Sequence, residues 1–210
     1  NALIATITTD EGAPVITGQR LRKGSCGSPR GAARMIGDTL ATVKRLRSPQ
    51  ATTKPLVRMD SAFYGYPSVA AAIRGGAEVS VTVRLDPKVK AAIADIGGDA
   101  WTAIDYTDAI YDDTTGQWIS RAEVAEIGFT AFSSRKAAEQ IDGRLVARRI
   151  PDFNPTPGDG QTALFDTWRL HAFFTTTDSD TVTADKIHRG HAIFEQVHAD
   201  LKDSALRSEE

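Results

Sequence analysis

The chain opens with two short runs rich in β-branched residues, 3–8 (LIATIT) and 14–19 (PVITGQ). The turn-forming triplet Asp10-Glu11-Gly12 separates them, and the pattern predicts two strands. Residues 20–30 (RLRKGSCGSPR) are basic and rich in Gly and Ser, which predicts a loop. Over 32–47, Ala33, Ile36, Leu40 and Val43 recur at helical spacing, and Ser48-Pro49-Gln50 ends the pattern. Residues 55–60 read as a short strand closing on an acid. A helix is predicted over 67–74, stopped by Gly75-Gly76, and a strand over 78–85 (EVSVTVRL). Strand, helix, strand in this order is the pattern of an α/β layer.

Beyond Asp86 the pattern changes. A short helix is expected over 87–96, followed by strands over 101–106, 117–120, 125–132, 143–150 and 168–176. Asp112-Asp113, Gly116, residues 151–160 and 178–180 punctuate them. Residues 183–202 then carry the strongest helical pattern, with Ile187, Phe194, Val197 and Leu201 as its apolar stripe. The expected organisation is an α/β core over 1–85, a β-rich insertion over 86–180 and a further core helix over 181–210. There is no internal repeat.

Composition narrows this little. Of the 210 residues, 41% are hydrophobic and 25% charged, enough for a sizeable core. The single cysteine, Cys26, excludes an internal disulfide and a cysteine-rich zinc site. No apolar run approaches a membrane span, and the first residues lack a basic-then-apolar leader, so neither membrane insertion nor secretion is expected. Charge is uneven. Residues 1–60 carry ten Lys/Arg against four Asp/Glu, net +6, and the rest carry fifteen against twenty-three, net −8. A basic first third is suited to meeting a polyanion.

Candidate chemistry gathers on the last helix. At about 100° per residue, His188, His191, Glu195, His198 and Lys202 fall within an arc of about 80°. Three of the four histidines lie in that stripe. His-x-x-His followed by Glu suits zinc, although the metalloprotease spacing is absent. The alternative is phosphoryl transfer, in which carboxylates hold a divalent metal and cations hold phosphate oxygens. That needs a second carboxylate. Asp60, at the end of its strand, is the candidate, with a turn or capping role as the plain alternative. Asp86, before Pro87, reads as a helix N-cap. Trp101, Trp118 and Trp168 read as half-buried sheet residues, with stacking on an unpaired base as the sharper alternative. The Gly- and Arg-containing segment 20–31 does not close as a Walker loop.

The segments VRMDSAFYGY, EVSVTVRLD and HRGHAIFEQVHADLKD, with a long insertion before the last, resemble the DDE transposases of bacterial insertion sequences. The phrases GQRLRKGS, RGAAR, DAWT, GQWIS and EVAEIGFTAF resemble the same group. The resemblance implies a ribonuclease-H-like α/β core interrupted by a β-rich subdomain. It matches Asp60 to the family's second metal-binding acid and Glu195 to its third, 135 residues further on (195 − 60). Lys202 matches the lysine of the family's Tyr-Arg-Glu-Lys helix pattern. His188 and His191 stand where Tyr and Arg would be, and Arg189 is a substitute cation.

The implied activity is cut-and-paste DNA transposition. Two Mg²⁺ or Mn²⁺ ions would activate water and then a 3′-hydroxyl. The implied partners are the transposon terminal inverted repeats, target DNA and a second copy of the full-length enzyme, in the bacterial cytoplasm at the nucleoid. Lys202, His188, His191 and Arg189 would contact DNA phosphates, and Arg20, Arg22, Lys23 and Arg30 would do so from an exposed basic loop. The family's first aspartate precedes the strand that LIATIT would form. The chain is therefore expected to be a partial transposase, inactive alone. A non-catalytic remnant that still binds DNA and a zinc hydrolase using His188, His191 and Glu195 are the competing expectations.

Overall fold

A computed structural model of the chain describes residues 2–9, 12–112, 116–151 and 168–190. The protein is mixed α/β and divides into two units, Asn1–Val81 with Lys186–Glu210, and Thr82–Asp185.

In the first unit, strands β1 (Ala2–Ile7) and β2 (Val15–Leu21) pair antiparallel, from Ala2↔Leu21 to Ile7↔Val15. A register shift at Ala5/Thr6 marks a bulge. Helix α1 (Ala32–Leu46) follows Gly31, whose φ of 85° lies in the left-handed region that glycine enters without strain. Lys44 and Arg45 occupy its last turn, where the helix dipole favours cations. Its buried Ala32 and Met35 cluster with Leu3, with Ala5 and Phe63 packed against them. Strand β3 (Leu56–Met59) then leads through a 3-10 turn (Ser61–Phe63) and helix α2 (Tyr66–Arg74) into β4 (Glu78–Thr82). Strands β3 and β4 are parallel, with Arg58 opposite Ser80. The strand–helix–strand expectation therefore holds here. Gly75, at the end of α2, is required by close approach, because a β-carbon there would collide with the Leu40 side chain of α1.

The second unit is built on an antiparallel sheet. Strands β5 (Thr102–Asp112), β6 (Gln117–Ala131), β7 (Ile141–Pro151) and β8 (Trp168–Thr175) pair in chain order. The strands expected over 117–120 and 125–132 are one strand, β6. Polar residues interrupt its apolar run, yet Ala122 and Val124 keep the period-two alternation and are buried. The polar Glu123 lies opposite Arg149 in the ladder. Val124, Leu145, Val146 and Phe174 are fully buried. Gly143 admits the Phe174 ring, since a β-carbon there would stand 2.7 Å from it. Helix α3 (Pro87–Ala94) begins on Asp86, whose Oδ1 accepts the Val89 amide at 2.9 Å, the N-cap expected from sequence.

Helix α4 is described over Thr181–Arg189, starting two residues earlier than expected. Asp180 caps it by accepting the Thr183 amide at 2.9 Å. Residues up to Asp185 belong to the second unit and those from Lys186 to the first. The rest of the expected helix, to 202, lies outside the described residues.

Candidate functional site on the first unit

Strand β3 carries Arg58 in an otherwise apolar run, and Asp60 follows two residues later. Asp60 is extended (φ −79°, ψ 174°), so the alternation of an extended chain puts the two side chains on one side, opposite the buried Met59. Ser80, opposite Arg58 on β4, meets the last turn of α4. Its hydroxyl and His188 Nδ1 are 2.7 Å apart. Arg58 Nη1 donates to the Ile187 carbonyl at 2.7 Å, and Nη2 to Thr8 Oγ1 at 3.4 Å. A β-carbon on Gly190 would stand 3.2 Å from Arg58 Nη1, so the small residue lets the guanidinium approach the helix end. Partial burial lowers the Arg58 pKa from its ordinary value. The last turn of α4 is thus tied to the strand whose end carries Asp60.

The carboxylate of Asp60 is exposed, and its Oδ1 accepts the Ala62 amide at 2.7 Å. It therefore performs the capping role given as the plain alternative. That bond uses one oxygen. A hard oxygen ligand suits Mg²⁺ or Mn²⁺, but one carboxylate alone is a weak site. Among the described residues no three His, Cys, Asp or Glu side chains gather around a common point. Glu195, His191, His198 and Lys202 lie outside the described residues.

Beside this face is a cavity of about 510 Å³, walled by residues 3–8 along and just after β1 and 55–60 around β3. The inner stripe of α1, including Met35, Ile36, Leu40 and Val43, also lines it.

The basic loop is only partly available. Lys23 and Arg30 are exposed as expected, whereas Arg20 and Arg22 are half-buried. Arg20 pairs with Asp38 at 3.3 Å. Arg22 donates to the Ser28 and Arg30 carbonyls at 2.6 and 3.0 Å and so organises its own loop. Arg189 ends α4 and is half-buried.

In the second unit, Trp101 and Trp168 each lie over the Arg149 guanidinium, at 4.2 and 4.5 Å. Both are half-buried, in line with the plainer reading of these tryptophans. The side chain of Trp118 lies outside what the structure describes.

Arg58 and Ser80 were not singled out by sequence reasoning. The signal for Arg58 was present: a charged residue between Val57 and Met59, two positions before Asp60. Nothing local marks Ser80, whose partner is more than a hundred residues away. No protein-family model and no curated protein matches the chain.

Proposed function

We propose that the chain is part of the catalytic domain of a DDE-type DNA transposase with a ribonuclease-H-like core. The observation that carries the reading is the fastening of the last turn of α4 to the face of β3 and β4 on which Asp60 follows. Glu195 lies six residues beyond Arg189 in sequence (195 − 189), so a helix continued from α4 would bring it about 1.7 turns further along. In this reading Asp60 and Glu195 share a Mg²⁺ or Mn²⁺ ion, which would polarise a phosphoryl oxygen of DNA. Lys202, His191 and Arg189 hold phosphates, with Lys23 and Arg30 as the accessible cations of the loop. His188 is better suited to fixing the helix against Ser80 than to meeting DNA. The partners are transposon ends, target DNA and a second copy of the full-length enzyme.

Mn²⁺ binding followed by electron paramagnetic resonance tests this directly. The free-ion signal should fall on adding the chain, and Asp60→Asn and Glu195→Gln should each restore it. Uptake of Mn²⁺ unchanged by both substitutions would refute the shared site.

A further inference from the structure

We propose that the C-terminal end of α1, with the loop that follows it, is a further binding surface for the phosphodiester backbone of duplex DNA, separate from Asp60 and from the 20–31 loop. Residues 39–59 hold five Lys/Arg and no Asp, Glu or aromatic residue. Lys44 and Arg45, in the last turn of α1, are exposed. Arg47 folds the chain back on that turn, since its Nη2 donates to the Ala51 carbonyl at 3.4 Å and also to the Thr53 carbonyl. Within the loop the Ala51 amide donates to the Ser48 carbonyl at 3.0 Å, and the Gln50 amide to Ser48 Oγ at 3.3 Å. The loop so held returns Lys54, which is exposed, to the helix end. Lys54 precedes β3 and Asp60 follows it, so this surface and the Asp60 carboxylate stand at opposite ends of the strand.

Complementing the helix dipole accounts for Lys44 and Arg45 but not for Lys54, which lies outside the helix. Three full positive charges outweigh the roughly half negative charge of a helix C-terminus. Among the described residues none of the three is ion-paired, and Glu78, opposite Leu56 at the start of β4, pairs with none of them. Arg45 donates to the neutral Thr42 Oγ1 at 3.1 Å. The 20–31 loop, by contrast, engages Arg20 with Asp38 and Arg22 with its own carbonyls. The chemistry of the surroundings selects the ligand. Single-strand sites stack bases on aromatic side chains, and residues 39–59 have none, which favours a duplex. A membrane-binding surface needs an apolar face beside its cations. Here Leu46, 76% exposed, is the one large apolar side chain over 44–54. Exposed cations without such companions suit backbone phosphates, which are contacted without reading sequence. The inference needs neither a metal nor Asp60, so it can fail without touching the transposase reading.

The test uses the intact chain and a fluorescein-labelled DNA duplex of about 20 base pairs, followed by anisotropy in EDTA between about 50 and 200 mM salt. Saturable binding that weakens steeply with salt is expected. Lys44→Gln, Arg45→Gln and Lys54→Gln together should lower the slope of log K against log salt by about 2–3, at about 0.9 per phosphate contact, and should weaken binding by more than about tenfold. Lys44→Arg, Arg45→Lys and Lys54→Arg together keep the charge and should keep the slope. Lys54→Gln alone should lower the slope by about one, and it decides the matter if the triple variant does not fold. Absence of duplex binding by the parent chain, or an unchanged slope in the Gln variants, would overturn the proposal. So would a Gln effect seen on phosphatidylserine vesicles and not on the duplex.

Discussion

The two units of this chain differ in how the charged groups on their sheet strands are partnered, although the first unit also holds a surface pair, Arg20 with Asp38. In the second unit the charges of the sheet are matched to one another. Arg148 Nη1 meets Asp185 Oδ1 at 2.6 Å, with the arginine side chain 11% exposed and the aspartate fully buried. Arg144 reaches Glu126 at 2.5 Å and the carbonyls of Thr177 and Ser179 at 2.7 Å. Arg144, Val146 and Arg148 share one face of β7, and along it Ala184 of α4 packs on Val146 and Phe173. In the first unit the partners of Arg58 among the described residues are neutral, Asp60 is exposed, and a cavity lies beside both. Burial of a charge without a charged partner is costly. The second unit matches its strand charges within itself, whereas the first leaves a half-buried cation and an exposed carboxylate beside a cavity.

That contrast can be broken most forcefully at the buried ion pair. Asp185→Ala leaves Arg148 without its carboxylate, and the expected loss is about 3–5 kcal/mol in urea unfolding. Replacing both partners by apolar residues of similar size, Arg148→Met with Asp185→Leu, should recover most of it. If the single and double variants are equally destabilised, the pair is not what holds α4 to β7.

A matched pair of truncations compares the cores. Leu145 is fully buried in the second unit, and Leu3 is 6% exposed beside the cavity of the first. Leucine-to-alanine changes in cores cost about 2–5 kcal/mol, more where the surroundings cannot collapse. Leu145→Ala should lie near the upper end and Leu3→Ala near the lower. Equal losses would mean that the first unit is packed as tightly as the second. At the surface, Asp86→Ala removes the cap of α3 and should cost about 1 kcal/mol, with Asp86→Asn largely neutral.

How far the sequence alone carried the fold can be read from particular residues. The stripe of α1, the cap at Asp86 and the Gly75-Gly76 stop are local signals, and each element ends within a few residues of its expected place. The continuity of β6 was hidden because Arg121 and Glu123 look like an interruption, and only the facing strand shows that Glu123 has a partner. The link from Arg58 and Ser80 to the end of α4 joins segments more than a hundred residues apart, and no local pattern encodes it. Arg22 read as an exposed phosphate ligand because its charge is visible in sequence and its carbonyl partners are not. Asp60 was legible as a strand-end acid, in both its capping and its proposed metal-binding sense.

The smallest expected effect concerns His171 on β8. It lies opposite Arg148 in the ladder, with Arg169 two residues before it on the same side of the strand. Removal from water, then the positive charges of Arg148 and Arg169, lower its pKa from the ordinary 6.5, while Asp185 acts the other way. A histidine with a lowered pKa in the folded state binds fewer protons there than in the unfolded chain. Stability should therefore be undiminished above about pH 6.5 and should decline as the pH falls through 6.5 toward the lowered value. Part of the ring faces solvent, so the decline should be shallow. His171→Gln should flatten that part of the stability–pH curve relative to the parent chain, measured by urea unfolding between about pH 5 and 8. In the Asp185→Ala variant the opposing negative charge is gone, and the decline attributable to His171 should steepen. A curve that keeps the same slope in all three proteins would show that the arginines facing His171 are screened by solvent. The second unit would then depend less on matched charge than its ion pairs imply.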